Sequence, residues 1–189
     1  MENKTEGKIN NDISKQRQVI EFWAVAKEFC NLVETASKMD SHRFMETMLR
    51  LLSLMYLKGS LLPYITPKDE NQNERFVNEE QWEKIYLSLK ELLGKDDAFE
   101  REARLDEIDP GQENILVTGS LAEHITDIWQ DIKDFILLYN KTNILAKENA
   151  VWACFLLFRA NWGYKTAEII KSLHQKVFMN EENNEEFDI

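Results

Sequence analysis

Glycine and proline are scarce in this chain, six and three among 189 residues, so the backbone has few places to turn sharply or break a helix. Cysteine is scarcer, with only Cys30 and Cys154. Two cysteines do not make a disulfide framework. Both lie in apolar helical stretches, where a free thiol behaves as a small buried hydrophobe. The longest apolar run, Ala150 to Phe158, is too short to cross a bilayer. The opening residues, MENKTEGKINND, contain no apolar stretch of the kind a secretory signal needs. Together these absences predict a cytoplasmic protein with no membrane segment.

Positive charge is also short. Lys and Arg total 23 against 34 Asp and Glu, a net charge of −11. Phosphate backbones are bound by clustered Lys and Arg, so nucleic acid is excluded as a partner. Anionic membrane surfaces are disfavoured for the same reason. A basic protein partner or a cation is compatible with this charge, and so is simple solubility. Familiar catalytic signatures are missing: there is no Gly-x-Ser-x-Gly elbow, no Gly-x-Gly-x-x-Gly and no P-loop. The acid-rich stretch from Lys95 to Thr118 lacks the alternating oxygen ligands, central Gly and terminal Glu of an EF-hand loop. It reads as a solvated connector, with Pro110-Gly111 forcing a turn and a short helix available over Ala98 to Leu105. No strand-like alternation and no internal repeat is visible.

What the chain does have is helical periodicity. Hydrophobic content of 43% and five tryptophans argue for a packed core, and the length suits one domain. A first helix starts near Asp12 or Ser14 and ends near Met39, with its stripe on Val19, Phe22, Ala26, Phe29, Cys30 and Val33. Asp40 and Ser41 can cap a second helix from about His42 to Lys58, closed by Gly59. That second helix is apolar on most of its circumference, which points to a central place in the bundle or to a methionine-rich partner or dimer face. Ser60 to Val77 reads as a loop. Asn78 to Gln81 forms a capping box that opens a third helix ending at Gly94. A fourth runs from Ser120 to about Tyr139. A last, long helix spans about Leu145 to Phe178, bent at Gly163, with its stripe on Val151, Cys154, Phe158, Trp162, Ile169, Leu173 and Val177. The prediction is an all-α, single-domain bundle of about five main helices over 13–178. Disordered residues precede it at 1–12, and an acidic disordered tail follows at 179–189.

The fourth helix carries the candidate chemistry. Its apolar side holds Leu121, Ile125, Ile128, Trp129, Ile132, Phe135 and Tyr139, while His124 and Asp131 fall on the boundary and Asp127 just beyond it. Asp134 falls on the polar side. Charges beside a buried face are paired, bound to a ligand, or wet. A histidine with two carboxylates one turn apart is a plausible set of ligands for a divalent metal, with Asp127 and Asp131 holding the ion. Known helical metal sites draw ligands from more than one helix. Paired Glu-x-x-His motifs are absent, and Glu-x-x-Glu occurs only at Glu182 and Glu185. The competing reading is that Asp127 and Asp131 pair with Arg159 or Lys165 across a helix–helix seam, because a desolvated carboxylate needs a partner. His174 is a lone histidine at a core edge. Gly163 sits inside a helix at a cost of roughly 1 kcal/mol relative to Ala, which a close neighbour or a ligand would explain.

Two stretches carry a resemblance. Asp127-Ile128-Trp129-Gln130-Asp131-Ile132-Lys133 is similar to the Asp-Ile-Tyr-x-Asp-Leu-Lys/Arg segment of a bacterial family known as domain of unknown function 5063. Phe158 to Gly163, followed by Leu173-His174, resembles that family's second segment, an aromatic and His-Trp-Gly with Leu-His about ten residues on. The resemblance is strongest over 118–176 and implies a bacterial source and an all-helical fold. It carries no established activity. Asp127, Asp131, Trp162, Gly163 and His174 occupy the motif positions. Asn161 stands where the family has His, a change that keeps a hydrogen bond but removes a good transition-metal ligand.

The residues so marked as ligand-binding candidates are His124, Asp127, Asp131, Arg159, Trp162, Gly163 and His174. No cofactor is predicted, and a divalent metal is compatible with the seam. The leading expectation is a non-enzymatic interaction or regulatory module with a protein partner. The alternative is a metal-dependent enzyme acting on a phosphate-containing small molecule, with His124 or His174 as a further ligand or acid/base.

Overall fold

A computed structural model describes residues 12–103, 107 and 115–179 of the chain. The expected N-terminal disorder, the Pro110-Gly111 turn, the Glu182 and Glu185 pair and the acidic tail beyond Met179 all lie outside the described residues.

Five helical rods form the body among the described residues. Helix α1 spans Arg17–Glu34 and α2 spans Ser41–Ser60. Helix α3 spans Glu79–Leu93 and α4 spans Leu121–Tyr139. The fifth rod is α5, Ile144–Leu157, running without interruption through a π-helical turn at Phe158–Trp162 into α6, Gly163–His174, and a second π turn at Gln175–Met179. Local chemistry sets most of the boundaries. Asp12 caps a 3-10 turn at Ile13–Lys15, and α1 itself begins after Gln16. Asp40 accepts from the Arg43 amide at the start of α2. Asn78 and Gln81 form the reciprocal capping box of α3. Gly94 closes α3 with φ of +50°, a conformation that only glycine adopts without strain. No helix among the described residues is long and apolar enough to cross a membrane.

Two expectations about local structure are corrected. The fold is mainly α, not purely so. Residues Ala98–Glu102 form strand β1, not a short helix, and pair antiparallel with β2, Leu116–Ser120. Phe99 is the buried residue of β1 and lies opposite Gly119. A Cβ at Gly119 would come within 2.8 Å of the Phe99 ring, so the glycine makes room for that ring. Gly59 does not end α2 but lies within it, buried against the Trp162 and Phe158 rings. A side chain there would overlap the Trp162 indole.

The central rod is α4, not α2. Helix α4 packs on α1, α3, α5 and α6 and is buried on almost every side. Helix α2 packs on α1 and α6 and leaves Leu54, Leu57 and Leu61 exposed. The core runs from Phe22, Phe29 and Phe44 through Met48 and Met55 to Ile125, Ile128, Ile132 and Trp162. Cys30 and Cys154 are both buried free thiols, and burial pushes both thiol pKa values up, as expected for inert core cysteines.

Candidate functional site

A helix buried on almost every side can keep charged residues only if neighbours satisfy them, and Asp127, Asp131, Lys133 and Asp134 of α4 each have a partner from another element. At its N-terminus Ser120 caps the Glu123 amide. Asp97, at the foot of β1, takes the Ser120 hydroxyl and the Ala122 amide, the latter at 2.7 Å. A carboxylate there also faces the positive end of the helix dipole. Further along, Trp129 Nε1 and Lys133 Nζ both donate to Glu34 of α1, at 3.1 and 2.6 Å.

The acidic seam lies between α4, α3, the α5–α6 rod and the segment before α3. Asp127 Oδ1 accepts from Trp82 Nε1 on α3 at 2.9 Å, and its Oδ2 is engaged by Lys165 Nζ of α6. Asp131, only 4% exposed, accepts from Asn161 Nδ2 at 2.8 Å, with Arg75 Nη1 at 3.5 Å on its other oxygen. Asp134, on the polar side of the wheel in the sequence reading, is buried. Its Oδ1 accepts the backbone N–H groups of Phe76 and Val77 at 2.8 and 2.9 Å. Arg75 Nη1 stands 3.8 Å from Asp134 Oδ2. The connector between α2 and α3 is thereby strapped onto α4 by one carboxylate holding two consecutive amides.

The two histidines of interest are far from equivalent. His124 is buried with its ring edge-on to Phe99 and its Nε2 3.3 Å from Glu168 Oε2 of α6. Facing a carboxylate, Nε2 carries the proton of the neutral ring and donates it. His174 is exposed on α6 and its ring leans on Phe178. Arg159 is exposed too. Trp162 is fully buried, its indole donating to the Cys154 carbonyl at 3.0 Å. Gly163 follows the π turn directly, and a Cβ there would overlap the Phe158 carbonyl. The backbone itself requires this glycine. The structure thus brings together His124, Asp127 and Asp131 with Lys165, Glu168, Asn161, Trp82 and Arg75. It does not bring Arg159 or His174 to them. Trp82, Arg75 and Glu168 were not legible as participants, because nothing local to them marks a long-range polar partner.

Under Arg75 lies a cleft of about 40 Å³, lined in part by Asp131, Asp134, Phe135 and Cys154. It has room for only a few waters at about 10–15 Å³ each, whereas small-molecule sites are roughly 300–1,000 Å³. Among the described residues no group of three or more His, Cys, Asp and Glu side chains is arranged to hold a metal ion.

The sequence profile of the family described as Domain of unknown function (DUF5063) matches residues 13–179. The chain belongs to that family. The match extends the resemblance from the α4 to α6 region across the whole helical body. The chain is also similar to a solved structure, the crystal structure of protein BF1032 from Bacteroides fragilis. It is 30% identical over 88% of this chain and 96% of that one, with a TM-score of 0.77. No curated protein matches the chain.

Burial also shifts the titration of two groups in the seam, His124 and Asp131. The His124 pKa is lowered from its ordinary value of 6.5, chiefly by burial and then by the Lys165 charge. The Asp131 pKa is raised from 3.8, again chiefly by burial, with the Asn161 hydrogen bond and Arg75 opposing. The signs differ in their effect on stability. As pH falls through 6.5 the unfolded chain protonates at His124 before the folded chain does, so this residue's contribution is complete above 6.5 and declines below it. Asp131 does the reverse, since its folded form takes up a proton first. We expect the loss of stability between pH 7.5 and pH 5.5, measured by urea denaturation, to be smaller in His124→Gln than in the wild type. An identical loss in both would show that His124 is not held neutral.

Proposed function

We propose that this DUF5063 protein is a non-enzymatic interaction or regulatory module of the bacterial cytoplasm. The observation that supports this most is how fully the seam is consumed by the chain itself. Lys165 and Trp82 take the Asp127 carboxylate, and Asn161 and Arg75 take Asp131. A metal held by Asp127 and Asp131 would have to displace a lysine, an indole and an amide that are already in place. His174, the residue expected to complete such a site from α6, is exposed beside Phe178. The seam joins helices. Among the described residues, the most apolar surface open for recognition is the outer side of α1 and α2, where a groove of about 510 Å³ opens to solvent.

Affinity capture under stringent washing tests this reading. The expected result is a specific protein recovered with the wild type and lost with Leu54→Glu, whose side chain lines that groove. Turnover of a phosphate-containing small molecule by the pure protein, abolished in Asp127→Asn with folding intact, would overturn it in favour of the metal-dependent enzyme.

A further inference from the structure

We propose that the outer α1–α2 face is a self-recognition surface, and that its occupant is the same face of a second copy of this chain. The proposal rests on the interaction reading above and names the partner.

Helix α2 is apolar around most of its circumference, yet it sits at the edge of the bundle. Its outward residues Leu54, Leu57 and Leu61 are 42%, 54% and 54% exposed, and their spacing of three and four keeps them on one stripe. Leu51 and Leu54 continue that stripe into the groove, whose far wall is α1 with Leu32, and Met39 lines it too. Glu21 of α1 is ion-paired with Lys58 of α2, which sets the start of α1 beside the end of α2. Ile20, next to Glu21 on α1, is a further exposed apolar residue at that end, 47% exposed. A continuous apolar strip of this kind marks a binding surface more often than a solvated face, and methionine at its edge adapts to a partner's contour.

Charge identifies the occupant. Two copies of a chain with net charge −11 repel over most of their surfaces. The α1–α2 segment does not share that excess of negative charge. Between Arg17 and Ser60 there are six Lys or Arg against five Asp or Glu, a formal charge of +1 with His neutral. The rest of the chain therefore carries −12. Two copies can meet on this near-neutral segment without concentrated like charge. The groove is also self-complementary: Glu28 lines it from α1 and Arg50 from α2. A two-fold arrangement sets Arg50 of one copy towards Glu28 of the other, twice over, as an isologous interface requires. A strongly basic partner would find no acidic rim here, since the bases on this face equal or outnumber the acids.

Sedimentation equilibrium of the full chain over a range of concentrations tests this. The wild type is expected to pass from the mass of one chain to that of two and no higher, because a two-fold contact closes on itself. Leu54→Glu with Leu57→Glu, both at exposed positions and so compatible with folding, should weaken association by roughly tenfold or more. Leu87→Glu, on the exposed side of α3, should leave it unchanged. Arg50→Glu should weaken association and Glu28→Arg added to it should restore it, an outcome that loss of packing alone does not produce. A wild type that stays at one chain's mass throughout, or a dimer untouched by the double leucine variant, would overturn the proposal. If the wild type is a monomer but a different protein is captured and then lost in Leu54→Glu, the interaction reading survives and the self-recognition reading does not.

Discussion

Trp162→Ala should cost about 3–5 kcal/mol of stability, the range for truncating a fully buried large aromatic, and lower the melting temperature by roughly 6–20 °C for a chain of this size. The Trp162 ring stacks on Phe22 with centroids 5.8 Å apart and meets Phe158 edge-on at 4.8 Å. It also fills the space that Gly59 leaves in α2, so this one side chain closes the contact between α1, α2 and the α5–α6 rod. The same geometry predicts a coupling. Gly59→Ala should destabilise the wild type by about 1–3 kcal/mol through overpacking but cost far less in a Trp162→Phe background, where the outer ring is gone. Thermal and urea denaturation of the four proteins of this cycle measures it. Additive effects would mean that the close approach of Gly59 and Trp162 is not what requires glycine.

The second large effect is expected at Asp134. Asp134→Ala leaves the Phe76 and Val77 amides without their acceptor. Hydrogen bonds to a charged group are worth about 1.5–3 kcal/mol each, and both amides belong to half-buried residues. The two bonds together predict a loss of about 3–6 kcal/mol. The loss should be local first: amide exchange at Phe76 and Val77 should accelerate by more than exchange in α4 does. Asp134→Asn keeps an acceptor oxygen and should cost less. Arg75→Met removes only a half-exposed, long-range ion pair and should cost under about 1 kcal/mol. Equal exchange rates at Phe76 and Val77 in the wild type and Asp134→Ala would contradict the strap.

The helices were legible because capping and periodicity act over a few residues. Asn78 with Gln81, Asp40 and Gly94 mark their helix ends by chemistry that needs no tertiary context. The hairpin was not legible. In Ala98–Glu102 the two side chains on the inner face are Phe99 and Arg101, so the alternation that betrays a half-buried strand is masked by a charge, and the flanking Glu and Ala favour helix equally well. The centre of the bundle was misplaced for a related reason. Counting apolar residues favours α2, whose surplus leucines are in fact exposed. It penalises α4, whose carboxylates are buried because Lys165, Trp82, Asn161 and two backbone amides answer them from other parts of the chain. Of the two partners that the sequence offers the seam, Arg159 and Lys165, it is Lys165 that meets Asp127. Asp134 was assigned to the polar side because a helical wheel shows direction and not what lies in that direction.

The π turn before Gly163 has one further consequence. Cys154, Phe158, Trp162 and Thr166 recur every four residues, and all face inward, although an ordinary helix needs only 3.6 residues per revolution. Without a wider turn that row would drift around the rod, and α6 would present a different set of side chains to α4. The turn takes up the surplus and resets the angular phase, so that Lys165 and Glu168 arrive opposite Asp127 and His124. Its glycine is thus part of the timing of the helix: the residues that join α6 to α4 depend on how many residues are wound into the turn ahead of them.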